Sequence, residues 1–167
     1  MRRAIELTAK ALAFAGGAVL VAMLGMSVSS IAGRAFFGRP IQGDFELVQF
    51  GCAISIAAFL PWCQLSRGNI IVDFFTTGLP ERAQAALDAV GALLLAGVMA
   101  LVAWRAGLGA ESVWASGERA MISRVPQWIA YAAIVPPLAF TAVVGLYTAW
   151  ESLQKALKGS EQLTRKG

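Results

Sequence analysis

The chain contains no histidine. That excludes a bis-histidine haem and every metal or acid–base mechanism built on imidazole. Cysteine is almost as scarce: Cys52 and Cys63 stand without accompanying ligands suited to a closed zinc site. Eleven residues apart on one helix, they would lie about 16 Å from each other, so they cannot form a disulfide together. Both read as small apolar packing residues. Charged residues make up only 14% of the 167, against about 25% in soluble domains. No phosphate loop of the GxxxxGK(S/T) form is present. No pair of acidic residues falls inside an apolar segment, as a proton relay or cation path would require. These absences leave no catalytic set and no cofactor site, and they describe a subunit that supports chemistry or transport carried out on another chain.

What the chain has instead is apolar length. Hydrophobic residues make up 57% of it, and the mean hydropathy is +0.65. Uncharged stretches run from Ala11 to Gly33, Leu47 to Ser66, Ala89 to Trp104 and Val125 to Trp150. Roughly 20 helical residues cross a hydrocarbon core about 30 Å thick. Three stretches reach that length outright. The third reaches it with its flanks, because Pro80-Glu81-Arg82 suits a helix first turn and Trp104 an interfacial anchor. The fold expected is an all-α integral membrane protein in one four-helix domain. Its transmembrane helices fall at about 11–33, 47–66, 84–105 and 126–150. Met1 to Gly33 could also be read as a secretory signal, but its apolar stretch exceeds the usual 7–15 residues of a signal core, which favours a retained helix.

Four crossings put both termini on one side. The two tails and the middle connection hold nine Lys/Arg, and the other two connections hold five. By the positive-inside rule both termini lie in the cytoplasm. The net charge of +4 is dispersed around the membrane segments, which suits headgroups rather than nucleic acid.

The connections hold the candidate contact residues. Arg34, Arg39, Asp44 and Glu46 gather at the outer boundary of the first two helices, as a partner-binding patch or as headgroup contacts. Acidic charge at a helix start is a sufficient structural reason for Asp44 and Glu46. Residues 67–79 are too short to cross and too apolar for an exposed loop, so they read as a segment lying on the inner interface. Within it, Arg67 can pair with phosphate headgroups or with Asp73. A short helix is expected between Arg105 and Arg124. Pro126 would open the last helix, with Trp128 at the interface behind it. Pro136-Pro137 would kink that helix; a transporter-type broken helix is the other reading, and no ionisable residue accompanies the pair. Small residues recur at Gly25, Ser29 and Gly33 and at Ala92, Ala96 and Ala100, allowing close helix approach within the subunit or against another.

Arg34-Ala35-Phe36-Phe37, Gly43-Asp44-Phe45-Glu46-Leu47, Arg67-Gly68-Asn69-Ile70-Ile71-Val72-Asp73, Leu79-Pro80-Glu81-Arg82 and Val125-Pro126-Gln127-Trp128-Ile129-Ala130-Tyr131 follow one another in this four-helix setting. In order and spacing they resemble the DctQ-type small permease subunit of tripartite ATP-independent periplasmic (TRAP) transporters, over roughly Ala11 to Trp150. There are departures: Phe45 replaces one of a frequent acidic pair, Asn69 stands at a common histidine position, and Pro137 stands where glycine is frequent. The resemblance implies a non-catalytic subunit in the cytoplasmic (inner) membrane of a bacterium or archaeon. Its implied partners are a large multi-helix permease carrying the sodium and substrate sites, and a periplasmic binding protein that captures an organic acid such as a dicarboxylate. This chain would steady the permease scaffold and aid docking of the loaded binding protein, with no cofactor of its own. An accessory subunit of another membrane complex, or a small oligomeric channel, would use the same apolar faces.

Overall fold

The computed structural model describes residues 2–39, 41–66 and 81–164. They form four helices: α1 (Arg2–Phe37), α2 (Asp44–Leu65), α3 (Glu81–Ser116) and α4 (Trp128–Thr164). All four are long and apolar enough to cross a membrane. The only β pairing among the described residues is an isolated bridge between Arg119 and Pro126. Arg67, Asp73 and the expected interfacial segment 67–79 lie outside the described residues.

The helices overrun the membrane lengths read from apolarity. At 1.5 Å per residue, the 36 residues of α1 extend about 54 Å. Charge marks where a helix leaves the lipid core, but it does not unwind the backbone. For the same reason α3 continues to Ser116. Glu111 and Trp114 therefore belong to its last turns, and no separate short helix forms there. Gly117, with φ +65, stops it. The last helix opens at Trp128 rather than Pro126. Pro126 instead sits in the bridge, and its carbonyl accepts the Ile129 N–H at 3.2 Å.

Four helices usually close into a bundle; these are arranged as a layer. Among the described residues, α1 packs on α2, α2 on α4, and α4 on α3. The order across the layer is thus α1–α2–α4–α3. Burial follows that order. In the most apolar stretch of each helix, 6% of residues are buried in α1 and in α3, against 28% in α2 and 39% in α4. The seams are lined by small residues because van der Waals contact, rather than apolar transfer, holds helices together in lipid. A Cβ on Gly16 would come within 2.9 Å of Ala58 Cβ, and one on Gly145 within 2.9 Å of Ala96 Cβ. Ala57, Ala103 and Leu138 form a buried cluster flanked by Leu60, Met99 and Ile134, which joins α2, α3 and α4.

The two apolar-helix stripes of small residues divide. Ala96 is buried against Gly145, inside the subunit. Gly25 faces open space, and exposed Ser29 turns its hydroxyl back to the Gly25 carbonyl at 2.8 Å. Helix α4 continues through Pro136 and Pro137. Proline nitrogen cannot donate, so the carbonyls four residues before each proline lose their usual donors. One turn on, the Thr141 hydroxyl donates to the Pro137 carbonyl at 2.8 Å. Lower on the same helix, Gln64 Nε2 donates to Thr148 Oγ1 at 3.1 Å, a buried bond across the α2–α4 seam.

Candidate functional site

Two ends of the layer are defined by contacts between helices. At one end Arg2 approaches Glu151 at 3.6 Å and Lys10 lies over the Trp62 ring. The beginning of α1, the end of α2 and the later part of α4 therefore share that end. At the other end the α1–α2 turn meets the α3–α4 connection, and the candidate contact residues collect there.

The turn is built by a glycine with two constraints on it. Gly43 precedes α2 with φ +77, a left-handed conformation that costs a side-chain-bearing residue energy. A Cβ there would also lie 2.7 Å from Ser123 Cβ and 2.9 Å from Ser123 N. Only glycine meets both demands, and its absence of a side chain lets the two connections touch.

Glu46, in the first turn of α2, then holds the second connection in place. Its carboxylate accepts N–H bonds from Ile122 at 3.1 Å and Ser123 at 2.9 Å, and the Ser123 hydroxyl at 2.9 Å. Hydrogen bonds to an ionised acceptor are about twice as strong as neutral ones. The connection is itself tightly turned. Ala120 N–H donates to the Val125 carbonyl at 2.9 Å, Arg124 N–H to the Ala120 carbonyl at 3.1 Å, and Arg124 adopts φ 55. Asp44 serves the first connection. It accepts the Ser30 hydroxyl, and Ser30 Oγ in turn accepts the Ile41 N–H at 3.3 Å. Asp44 Oδ1 also accepts the Phe45 N–H at 2.8 Å. Both acids thus accept hydrogen bonds from within the subunit.

Arg34 and Arg39 are exposed, and Arg34 is close enough to act on Asp44 through its charge. Around them lie large apolar side chains turned outward: Phe36, Phe37 and Phe45, with Met121 94% exposed at the tip of the clamped turn. Trp128 stands at the start of α4 with its ring edge-on to Trp114, centroids 4.7 Å apart, which ties α3 to α4 beneath the turn. This end therefore brings together Arg34, Arg39, Asp44, Glu46, Pro126 and Trp128. Ser30, Gly43 and Ser123 complete it, and of these only Gly43 falls within a motif read from the sequence. The glycine before two acids was the available signal for Gly43; nothing local marks Ser123 as a partner of Glu46.

No group of three potential metal-ligating side chains occurs among the described residues. The arrangement can position a surface, with two cations and an apolar rim on a clamped base. No curated protein and no solved structure matches the chain. A family model for tripartite ATP-independent periplasmic transporters, DctQ component, matches residues 23–155, from within α1 into α4. The chain is a multi-pass membrane protein, and it belongs to the DctQ family, the small-subunit component of these transporters.

Proposed function

We propose that this chain steadies the immobile scaffold of the large permease in a sodium-coupled, binding-protein-dependent organic-acid uptake system. It performs no chemistry and carries no cofactor, and the sodium and substrate sites lie on the large subunit. It sits in the cytoplasmic membrane with both termini inside. The end bearing Arg34 and Arg39 then faces the periplasm, where it adds to the docking surface for the loaded binding protein.

The open α1–α2–α4–α3 layer supports this reading most directly. A layer has two broad faces and two edge helices, and only 6% of the apolar stretch of each edge helix is buried within the subunit. Such a shape extends a neighbour's wall within the plane of the membrane. Membrane partners associate by close packing, and open glycines at Gly17, Gly25, Gly91 and Gly97 offer it.

The test is affinity purification of the chain from its native membrane in mild detergent, with mass spectrometry of copurifying proteins. A large multi-helix permease at a fixed ratio is the expected result. Recovery of a different complex, or of a homo-oligomer alone, would overturn the reading. Docking needs its own variant. Because Asp44 and Glu46 hold the fold of this end, only Arg34→Gln with Arg39→Gln separates docking from assembly. That pair should leave permease recovery intact while weakening capture of the binding protein.

A further inference from the structure

At the opposite end of the layer, α1 and α2 frame an open trough of about 410 Å³ lined by Lys10, Ala13, Phe14 and Trp62. Its volume falls within the range of small-ligand sites, roughly 300–1,000 Å³. We propose that this trough binds one anionic glycerophospholipid, with Lys10 taking the phosphate and Phe14 and Trp62 the first part of an acyl chain.

Charge is the first reason. Arg2 nearby is already neutralised, bonded to Glu6 at 3.0 Å and close to Glu151 at 3.6 Å. Lys10 has no carboxylate within ion-pair distance among the described residues. Its ammonium lies 5.2 Å from the centre of the Trp62 ring, a cation–π contact that orients the group without cancelling its charge. An ammonium has three donors and no acceptor, and an aromatic face satisfies one side of it at most. An anion completes the site.

Direction is the second reason. Lys10, Ala13 and Phe14 are spaced i, i+3, i+4, so they share one face of α1. Lys10 is the last charge before the uncharged run that begins at Ala11. Phe14 lies about 6 Å further along the axis, toward the lipid core, and is 80% exposed. A polar head group at the boundary with an apolar wall leading inward describes a phospholipid, and a free phosphate would leave the wall bare. The site does not depend on the transport role, since it is built wholly within this chain.

Native mass spectrometry of the full-length chain in mild detergent, titrated with phosphatidylglycerol or phosphatidylcholine, tests it. Wild type should bind the anionic lipid about fivefold more tightly, equivalent to roughly 1 kcal/mol for one basic residue at an anionic surface. Lys10→Gln should abolish that preference and Lys10→Arg retain it. Trp62→Leu should weaken both lipids, and Arg105→Gln, on the far edge helix, should change nothing. Equal binding of the two lipids by wild type, an unchanged preference in Lys10→Gln, or displacement by millimolar inorganic phosphate would each overturn the proposal.

Discussion

Two side chains and one missing side chain decide the end of the layer where the two connections meet. Gly43 carries both a left-handed backbone and a contact that leaves no room for a Cβ. Gly43→Ala should therefore destabilise the subunit by about 2–4 kcal/mol, from combined backbone and steric strain. Gly38 has a similar φ of +65 but open space around it, so Gly38→Ala should cost only about 1 kcal/mol. Thermal unfolding in detergent compares the two directly, and equal losses would refute the steric part. Glu46→Gln keeps the shape but removes the negative charge that gathers three donors. A loss of about 1–3 kcal/mol is expected. Hydrogen exchange should rise at Ile122 and Ser123 while α4 stays protected. Glu46 shows the limit of reading a sequence locally. Its position at a helix start explains an acid there, but its partners come from 76 and 77 residues away, and no spacing rule reaches that far.

Among the elements, membrane length was legible and helix ends were not. Apolar runs located all four helices because lipid leaves a spanning backbone few other ways to satisfy its polar groups. The same runs stop at Trp104 and Trp150, short of the helix ends at Ser116 and Thr164, since polar helix beyond the hydrocarbon carries no apolar signal. Small-residue spacing identified a packing face but not its owner. Ala96 proved internal and Gly25 outward, a choice made by how each helix is rotated in the layer. That distinction can be measured. Gly145→Leu would drive a side chain into Ala96 and separate α3 from α4, lowering the unfolding temperature of the isolated subunit. Gly97→Leu, on the open side of α3, should leave that temperature unchanged or raise it slightly, because leucine favours helix over glycine. If α3 packs against the large permease through this side, the same variant should reduce permease recovery. A loss of subunit stability in Gly97→Leu would show that the face is internal after all.

At the scale of the whole molecule, the sequence supplied four crossings but left their lateral order open, because periodicity carries no information about neighbours. The contacts between Arg2 and Glu151 and between Glu46 and Ser123 place the ends. The proposed orientation, with both termini in the cytoplasm, rests on charge bias. Single cysteines introduced at Arg3 and Gln162, in a background lacking Cys52 and Cys63, should react with a membrane-impermeant reagent only in inverted vesicles. One at Ile122, exposed on the clamped turn, should react only in right-side-out cells. The opposite pattern would reverse the orientation and move the Arg34–Arg39 surface away from any periplasmic partner.

The lateral order also dictates a sequence of events during synthesis. Helices α1 and α2 are made together and pack together, and α3 follows, yet α2 has its second seam with α4, the helix made last. The bond between Gln64 and Thr148 cannot form until the ribosome has passed residue 148. Until then, the hairpin of α1 and α2 waits in the bilayer with one side unsealed. Among the described residues α3 meets that hairpin at the cluster of Ala57, Ala103 and Leu138, to which α4 contributes Leu138, so the main seam of α3 awaits the arrival of α4. The final helix thus works as a keystone: a nascent chain that stops before it lacks the seams that α4 makes with α2 and with α3, and one that includes it joins all four.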